Sequence, residues 1–268
     1  LQGKTVANLF FEMSTRTRIS FELAQKRMSA DTVVFSVSSS SLNKGESFKD
    51  TVQNIEAMKI DAIILRHPAS GAPLHLTKFV DAVVINAGDG THEHPTQAIL
   101  DMMSLQEQFK KLEGLNVGII GDISHSRVAL SNIYGLTTMG VNVMICGPST
   151  LIPPHIEKLG VKVSYDMDEV IDWADAVIIL RIQLERMGTG LYPSVREYRA
   201  LFGLSVERIK RHNKDLVIMH PGPMNRGTEI DSAVADSERA IILDQVLNGV
   251  ASRMAILYLL LGGKTEEN

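Results

Sequence analysis

The sequence predicts an α/β protein of two lobes, each a parallel sheet flanked by helices, and three observations predict it. Apolar strand patterns alternate with helical ones from end to end, with no repeat or low-complexity tract between them. The length of 268 residues fits two domains on a prior of roughly 150 residues each. The strands fall into one set ending near Asn86 and a second beginning at Asn116, joined by a long helical pattern after Pro95. Open parallel sheets take ligands beyond the carboxyl ends of their strands, so the active site is expected in a cleft between the lobes. Residues 1–112 with 241–268 are expected to form the first lobe and 113–240 the second.

Taken in order, Thr5 to Phe11 carries strand formers and runs into Ser14, a good N-cap. Beyond it Ile19 and Leu23, with Phe21, Ala24 and Met28, recur at helical spacing and predict a helix over 15–28. Strands follow at Thr32 to Val37, Ala62 to Leu65 and Val83 to Asn86, with helical patterns at 47–58 and 95–109. The second set reads Asn116 to Gly121, Asn142 to Cys146, Lys162 to Tyr165, Ala176 to Leu180 and Leu216 to Met219. Helical patterns at 127–139, 153–158, 168–173 and 205–211 lie between them, and a long apolar helix, Ile241 to Leu261 with Gly249 inside it, closes the chain.

Composition narrows the function. Hydrophobic residues make up 44% and charged residues 22%, an ordinary globular balance. The net charge of −4, with no basic block, argues against nucleic-acid binding. A single cysteine, Cys146, excludes an intrachain disulfide framework and fits a reducing cytosol. Its apolar run, Val141 to Cys146, makes it a poor nucleophile. The apolar run Ala255 to Leu261 is too short to span a bilayer. No charged leader precedes the first strand, and position 1 is Leu1 rather than Met, so a further natural N-terminal segment is expected.

The polar motifs sit at strand ends. Ser14-Thr15-Arg16-Thr17-Arg18 sets three hydroxyls and two guanidinium groups where a strand gives way to a helix. Cations in a first helical turn are unfavourable without an anion, whereas the N-terminal N–H groups and the positive dipole end attract one. This is a phosphate cradle. Ser38 to Ser41 and Lys44 follow the second strand; the order G-x-x-x-x-G-K-[ST] is absent, so the loop is not a nucleotide loop. Arg66, in Arg66-His67-Pro68, stands at the end of the third.

His92-Glu93-His94-Pro95-Thr96-Gln97 follows the fourth strand. His92 and His94 would share a side of an extended segment, as a metal pair requires, but no third ligand follows at a familiar spacing. The better reading gives His94 and Gln97, at the start of the Pro95 helix, the role of neutral hydrogen-bond donors. In the second lobe Arg127 heads a helix after Gly121-Asp122-Ile123-Ser124-His125-Ser126, and no G-x-G-x-x-G occurs there. Arg181 and Gln183 share a side of the chain leaving a strand, and two arginines suit a dicarboxylate. His220-Pro221-Gly222-Pro223 makes a stiff turn whose carbonyls suit an amine.

A phosphate cradle, neutral donors for a carbonyl and a dicarboxylate clamp, without a nucleophile–base pair, metal cluster or nucleotide loop, imply group transfer from a small acyl phosphate. The chain resembles the aspartate carbamoyltransferase family from Leu1-Gln2-Gly3-Lys4 through Leu261, with S-T-R-T-R, H-P-T-Q and H-P-G-P-M-N-R-G in that order. The resemblance implies transfer of the carbamoyl group of carbamoyl phosphate to the α-amine of aspartate, in cytoplasmic pyrimidine biosynthesis, without a cofactor or metal. It makes 1–112 with 241–268 the carbamoyl-phosphate domain and 113–240 the aspartate domain. It implies that Ser14, Thr15, Arg16, Thr17 and Arg66 hold the phosphate, and that His94, Thr17 and Arg66 polarise the carbonyl. Gln97 with the carbonyls around Pro221, Gly222 and Pro223 would hold the carbamoyl amine, and Arg127, Arg181, Gln183 and Lys44 would bind aspartate. Ser41 and Lys44 would enter from a neighbouring subunit, making a homotrimer with shared sites; the serine run leaves Ser40 or Ser41 open. A regulatory subunit or pathway enzyme is a further expected partner.

Family members usually carry a further N-terminal helix packed on the C-terminal one, so the final helix is expected to expose apolar surface here. Ornithine carbamoyltransferases share the phosphate motif but typically show D-x-x-x-S-M-G and H-C-L-P segments, where this chain has Arg181-Ile182-Gln183 and His220-Pro221-Gly222-Pro223. Ornithine or another amino acid as acceptor is one alternative, and a non-catalytic phosphometabolite-binding homologue is the other.

Overall fold

The structure, a computed structural model, describes residues 1–36, 47–182 and 194–262. The chain divides into two compact units, Leu1–Thr96 with Gly249 onward, and Gln97–Asn248.

The first unit contains β1 (Thr5–Phe10), α1 (Thr15–Arg27), β2 (Asp31–Ser36), α2 (Phe48–Glu56), β3 (Ala62–His67), α3 (Ala72–Leu76) and β4 (Val83–Asp89). The strands pair in parallel in the order β2-β1-β3-β4. Alternation along each strand divides the core between the two faces. Val6, Ala62, Ile64, Ile85 and Ala87 face Phe21 and Ala24 of α1, with Val250 and Leu257. Ala7, Leu9, Ile63 and Leu65 face Val52 of α2 and Leu76 of α3. Within the first face Asn8 and Gln25, both fully buried, exchange two amide hydrogen bonds of 3.1 and 2.8 Å, which pin α1 to β1.

The chain continues through α4 (Pro95–Phe109), β5 (Asn116–Ile120), α5 (Arg127–Thr138), β6 (Asn142–Cys146), β7 (Lys162–Ser164), α6 (Met167–Trp173), β8 (Ala176–Ile179), α7 (Val195–Phe202), α8 (Val206–His212), β9 (Val217–Met219), α9 (Ser232–Ala235) and α10 (Ile242–Leu261). The second sheet is also parallel, in the order β7-β6-β5-β8-β9. Val117, Ile119, Val143 and Ile145 pack on Ala129, Ile133 and Leu136 of α5 and on Leu105 of α4. The alternate residues Ile120, Met144, Val177 and Ile179 pack on Val170 and Ile171 of α6 and on Tyr198 and Phe202 of α7.

The predicted strands form within one to three residues of their expected ends where described, and the structure adds three helices. Of these, α3 and α9 have only five and four residues, too short for a period to show. The third, α7, has a legible start: Ser194 accepts from the Glu197 N–H at 3.1 Å, an S-x-x-E start, and Tyr198 and Phe202 are buried one turn apart. The helix expected over 153–158 does not form, and a 3-10 turn at Ile156–Leu159 stands there instead. Pro154 disfavours a helical Pro153, and His155 at φ 63° is left-handed, so no α-turn can start before Ile156. On α10, Leu243, Val246, Leu247, Tyr258, Leu259 and Leu260 are exposed, so the expected apolar surface is present.

Candidate active site

Each sheet has one place where successive connections leave in opposite directions, and ligands of open parallel sheets bind at such places. In the first unit it lies between β1 and β3, because β2 lies beyond β1 and β4 beyond β3. The chain leaving β1 enters Ser14 to Thr17, and the end of β3 carries Arg66. Two of the predicted motifs therefore stand on adjacent strands.

Ser14 is the extended residue before α1 (φ −159°, ψ 91°), makes no side-chain capping bond, and is followed by a first turn without an acidic residue. The hydroxyl is thus not consumed by its own helix, and the first N–H groups of α1 point outward by helix geometry. Thr15 and Arg16 are exposed and Thr17 is buried.

Arg66 sits where the β3–β4 register shifts, an irregularity that re-aims a side chain. Its Nη1 donates to the Ala87 carbonyl at 3.0 Å and lies 3.5 Å from His94 Nε2. A guanidinium only donates, so that ring nitrogen accepts and the His94 proton belongs on Nδ1. Arg66 Nε lies 3.4 Å from Glu12 Oε2. Glu12, which sequence reasoning passed over, is thus an anion already placed on Arg66. The structure brings Arg66 and His94 together; His92 goes elsewhere. Its Nδ1 lies 3.2 Å from Asp89, which also accepts from the Glu93 N–H, so the segment turns and the two histidines do not act as a pair. Among the described residues no group of three His, Cys, Asp or Glu is disposed to hold a metal ion. His67 serves the core: it packs 5.2 Å from the rings of Phe11 and Phe48, and burial holds its pKa below the ordinary value.

In the second unit the corresponding place lies between β5 and β8, with β6 and β7 on one side and β9 on the other. Arg127, buried, heads α5 after β5, and Arg181 follows β8. The turn before Arg127 is held by the fully buried Asp122, whose carboxylate accepts from the His125 N–H at 3.1 Å and meets its ring at 2.9 Å. Gly121 at φ +134° permits it, since a Cβ there would lie 3.0 Å from Leu180 Cβ. Beyond β9, the His220 N–H donates to Gln245 Oε1 at 2.9 Å and the Gly222 N–H to His220 Nδ1 at 2.7 Å. The buried Glu229 receives the Asn225 N–H at 2.5 Å and lies 3.4 Å from His220 Nε2, closing the turn over Pro221, Gly222 and the cis-linked Pro223. Asn225 also donates to the Ile182 carbonyl at 3.2 Å, tying this turn to the chain that bears Arg181.

Gln97, expected to offer a donor, spends one N–H within its own helix. Its Nε2 donates one N–H to Asp101 at 2.9 Å, which turns the carbonyl oxygen away from that carboxylate as an acceptor. Ser40, Ser41, Lys44 and Gln183 lie outside the described residues. Cys146 is buried, and burial pushes its thiol up to about 12, so no useful thiolate exists near neutrality.

The fold and these residues define a two-domain parallel α/β protein with arginines at the crossing point of each sheet. Residues 1–107 match the aspartate/ornithine carbamoyltransferase, carbamoyl-P binding domain, and residues 113–260 match the Asp/Orn binding domain. The chain belongs to the aspartate/ornithine carbamoyltransferase family. It is 57% identical over 266 residues to an aspartate carbamoyltransferase catalytic subunit from Gemmatimonas aurantiaca, covering 99% of this chain and 83% of the relative. It is similar to the crystal structure of Trypanosoma cruzi aspartate transcarbamoylase with carbamoyl phosphate, at a TM-score of 0.87 and 30% identity over 96% of this chain and 84% of that one. An ornithine carbamoyltransferase from Pyrococcus furiosus gives a TM-score of 0.85 at 26% identity, over 99% and 87%.

Proposed function

We propose that this protein is the catalytic chain of an aspartate carbamoyltransferase, moving the carbamoyl group of carbamoyl phosphate to the α-amine of L-aspartate. The carrying observation is the Ser14 hydroxyl, uncommitted to its own helix, heading α1 at the crossing point that also bears Arg66. The identity to named aspartate enzymes supports aspartate as acceptor. So does the pair Arg127 and Arg181 at the ends of neighbouring strands, since ornithine would bring an ammonium where aspartate brings a carboxylate.

In this reading the domain of residues 1–112 with 241–268 takes carbamoyl phosphate and 113–240 takes aspartate. Ser14, Thr15, Arg16, Thr17 and Arg66 bind the phosphate. His94, Arg66 and Thr17 stabilise the carbonyl oxygen as charge develops on it. Gln97 and the carbonyls of the turn at Pro221, Gly222 and Pro223 accept from the carbamoyl amine. Arg127 and Arg181, with Gln183 and Lys44, hold the two carboxylates. The neutral α-amine attacks the carbonyl carbon, a tetrahedral oxyanion forms, and the bond to the phosphate oxygen breaks with its electron pair leaving on phosphate. The departing phosphate is strong enough a base to take the ammonium proton, so the step is driven by positioning and fixed charge. No cofactor enters it.

Ser41 and Lys44 come from a neighbouring subunit, so the active unit is a homotrimer, working in cytoplasmic pyrimidine biosynthesis. The test is a colorimetric assay for carbamoyl aspartate with aspartate and ornithine as competing acceptors. Arg181→Ala should raise the aspartate KM by more than tenfold and leave calorimetric carbamoyl phosphate binding within about twofold. Loss of carbamoyl phosphate affinity with an unchanged aspartate KM rejects the division of labour.

A further inference from the structure

Asp101 lies one turn beyond Gln97 on α4 and is fully buried. Its Oδ1 accepts from Gln97 Nε2 at 2.9 Å and from Gln245 Nε2 at 2.7 Å, and its Oδ2 accepts from Asn132 Nδ2 at 2.8 Å. Three amides from α4, α10 and α5 thus turn their nitrogens to one carboxylate. An ionised carboxylate only accepts, so it dictates which end of each amide points away. For Gln245 the consequence is visible: the oxygen turned away accepts the His220 N–H at 2.9 Å. Asp101 therefore controls, through one intermediary, the residue that opens the turn 220–223.

We propose that Asp101 is the positioning residue for recognition of the carbamoyl amine, a role that rests on the carbamoyltransferase reading. It turns the Gln97 carbonyl oxygen outward and, by way of Gln245, sets the backbone from which the turn carbonyls project. A carbamoyl amine carries two N–H donors and needs acceptors. Gln97 supplies one only in the orientation that Asp101 enforces; flipped, it would meet an N–H donor with another. Asp101 touches no substrate in this scheme and acts through its partners.

The experiment is Asp101→Asn, equal in shape but offering one acceptor and one donor group to three amide donors. Carbamoyl phosphate and inorganic phosphate are titrated calorimetrically against the full chain. Phosphate lacks the amine, so it reports the cradle alone. The expected result is a carbamoyl phosphate affinity at least tenfold weaker with phosphate affinity within twofold of wild type. In a Gln97→Ala background the same substitution should cost clearly less than in wild type, because the part of its effect that runs through Gln97 is already gone while the part that runs through Gln245 remains. Equal losses for the two ligands, or the full loss retained beside Gln97→Ala, overturn the proposal by showing general damage. Should Asp101→Asn not fold, Gln245→Leu decides: it cuts the His220 arm and one of the three bonds to Asp101 while leaving the Gln97 bond in place, and it must weaken carbamoyl phosphate more than threefold while sparing phosphate. A wild-type protein that binds phosphate but shows no preference for carbamoyl phosphate defeats the functional reading itself, before any variant is made.

Discussion

Removing the charge of Glu12 should tighten phosphate binding. Glu12 Oε2 and Arg66 Nε lie 3.4 Å apart, with side chains 20% and 11% exposed. Unit charges at that separation attract by about 5 kcal/mol at an effective dielectric of about 20, before desolvation and side-chain ordering are subtracted. Surface pairs retain roughly 0.2–1 kcal/mol, and this more buried pair should keep about 1–2 kcal/mol. A phosphate must draw Arg66 away from that carboxylate or share it. Arg66 remains anchored without Glu12, because its Nη1 donates to the Ala87 carbonyl at 3.0 Å. In Glu12→Gln the competitor is gone while the side-chain volume is kept, so phosphate affinity should rise about 5- to 30-fold, at 1.4 kcal/mol per factor of ten. Calorimetric titration of inorganic phosphate at low and moderate salt measures it, with the melting temperature as a control for folding. A Gln variant that melts normally and binds phosphate more weakly would show that Glu12 holds Arg66 in its working pose rather than competing for it.

Arg253, 3% exposed, donates to Ser20 Oγ and the Gly249 carbonyl at 2.9 Å each and to Thr96 Oγ1 at 3.3 Å, with its guanidinium 4.9 Å over Phe21. Arg253→Met keeps the stem and should lose about 2–4 kcal/mol in urea unfolding; an unchanged midpoint would mean these bonds contribute nothing net. Burial depresses the His67 pKa below 6.5, so the unfolded chain takes up a proton near that pH that the folded protein resists, and stability falls as pH drops below about 6.5. His67→Phe should flatten that part of the stability–pH curve, and a variant with the wild-type slope excludes His67 as its source. Mixing inactive Arg16→Ala with inactive Lys44→Ala chains should restore activity where one site receives both native residues. If mixed trimers form and remain inactive, the Lys44 loop serves its own chain.

The sheets were legible because each strand is an apolar run bounded by polar strand-end residues, and the two faces follow from alternation alone. Val6 and Ala7 go to opposite cores without any competing signal. The helix expected over 153–158 is vetoed by the consecutive prolines Pro153 and Pro154. At the site, the charged motifs stand out in the sequence, since cations at the start of α1 have few structural uses. Glu12 and Asp101 do not. Glu12 matters only because a strand 54 positions later in sequence brings Arg66 to it. Asp101 matters because α5 and α10 bring Asn132 and Gln245 to one carboxylate. Such roles are long-range in the chain and leave no local pattern. An Asp within an apolar run of a helix is the signal available, and Asp101, in Ala98-Ile99-Leu100-Asp101-Met102-Met103, shows it.

The two kinds of polar group fit two different tasks. Phosphate is a dianion that arrives hydrated, and in the proposed reading it meets the exposed Thr15 and Arg16 and the start of a helix, all able to exchange water for ligand at little structural cost. A carbamoyl amine is neutral and small, and charge cannot discriminate it from water. Discrimination must come from acceptors that cannot turn to become donors. An amide on the surface can flip, and one held by a buried carboxylate cannot without leaving that charge unsatisfied. The buried hub of Asp101, Gln97, Asn132 and Gln245 has this property. On the proposed reading its rigidity serves selectivity as well as stability, and the phosphate comparison with Asp101→Asn separates the two.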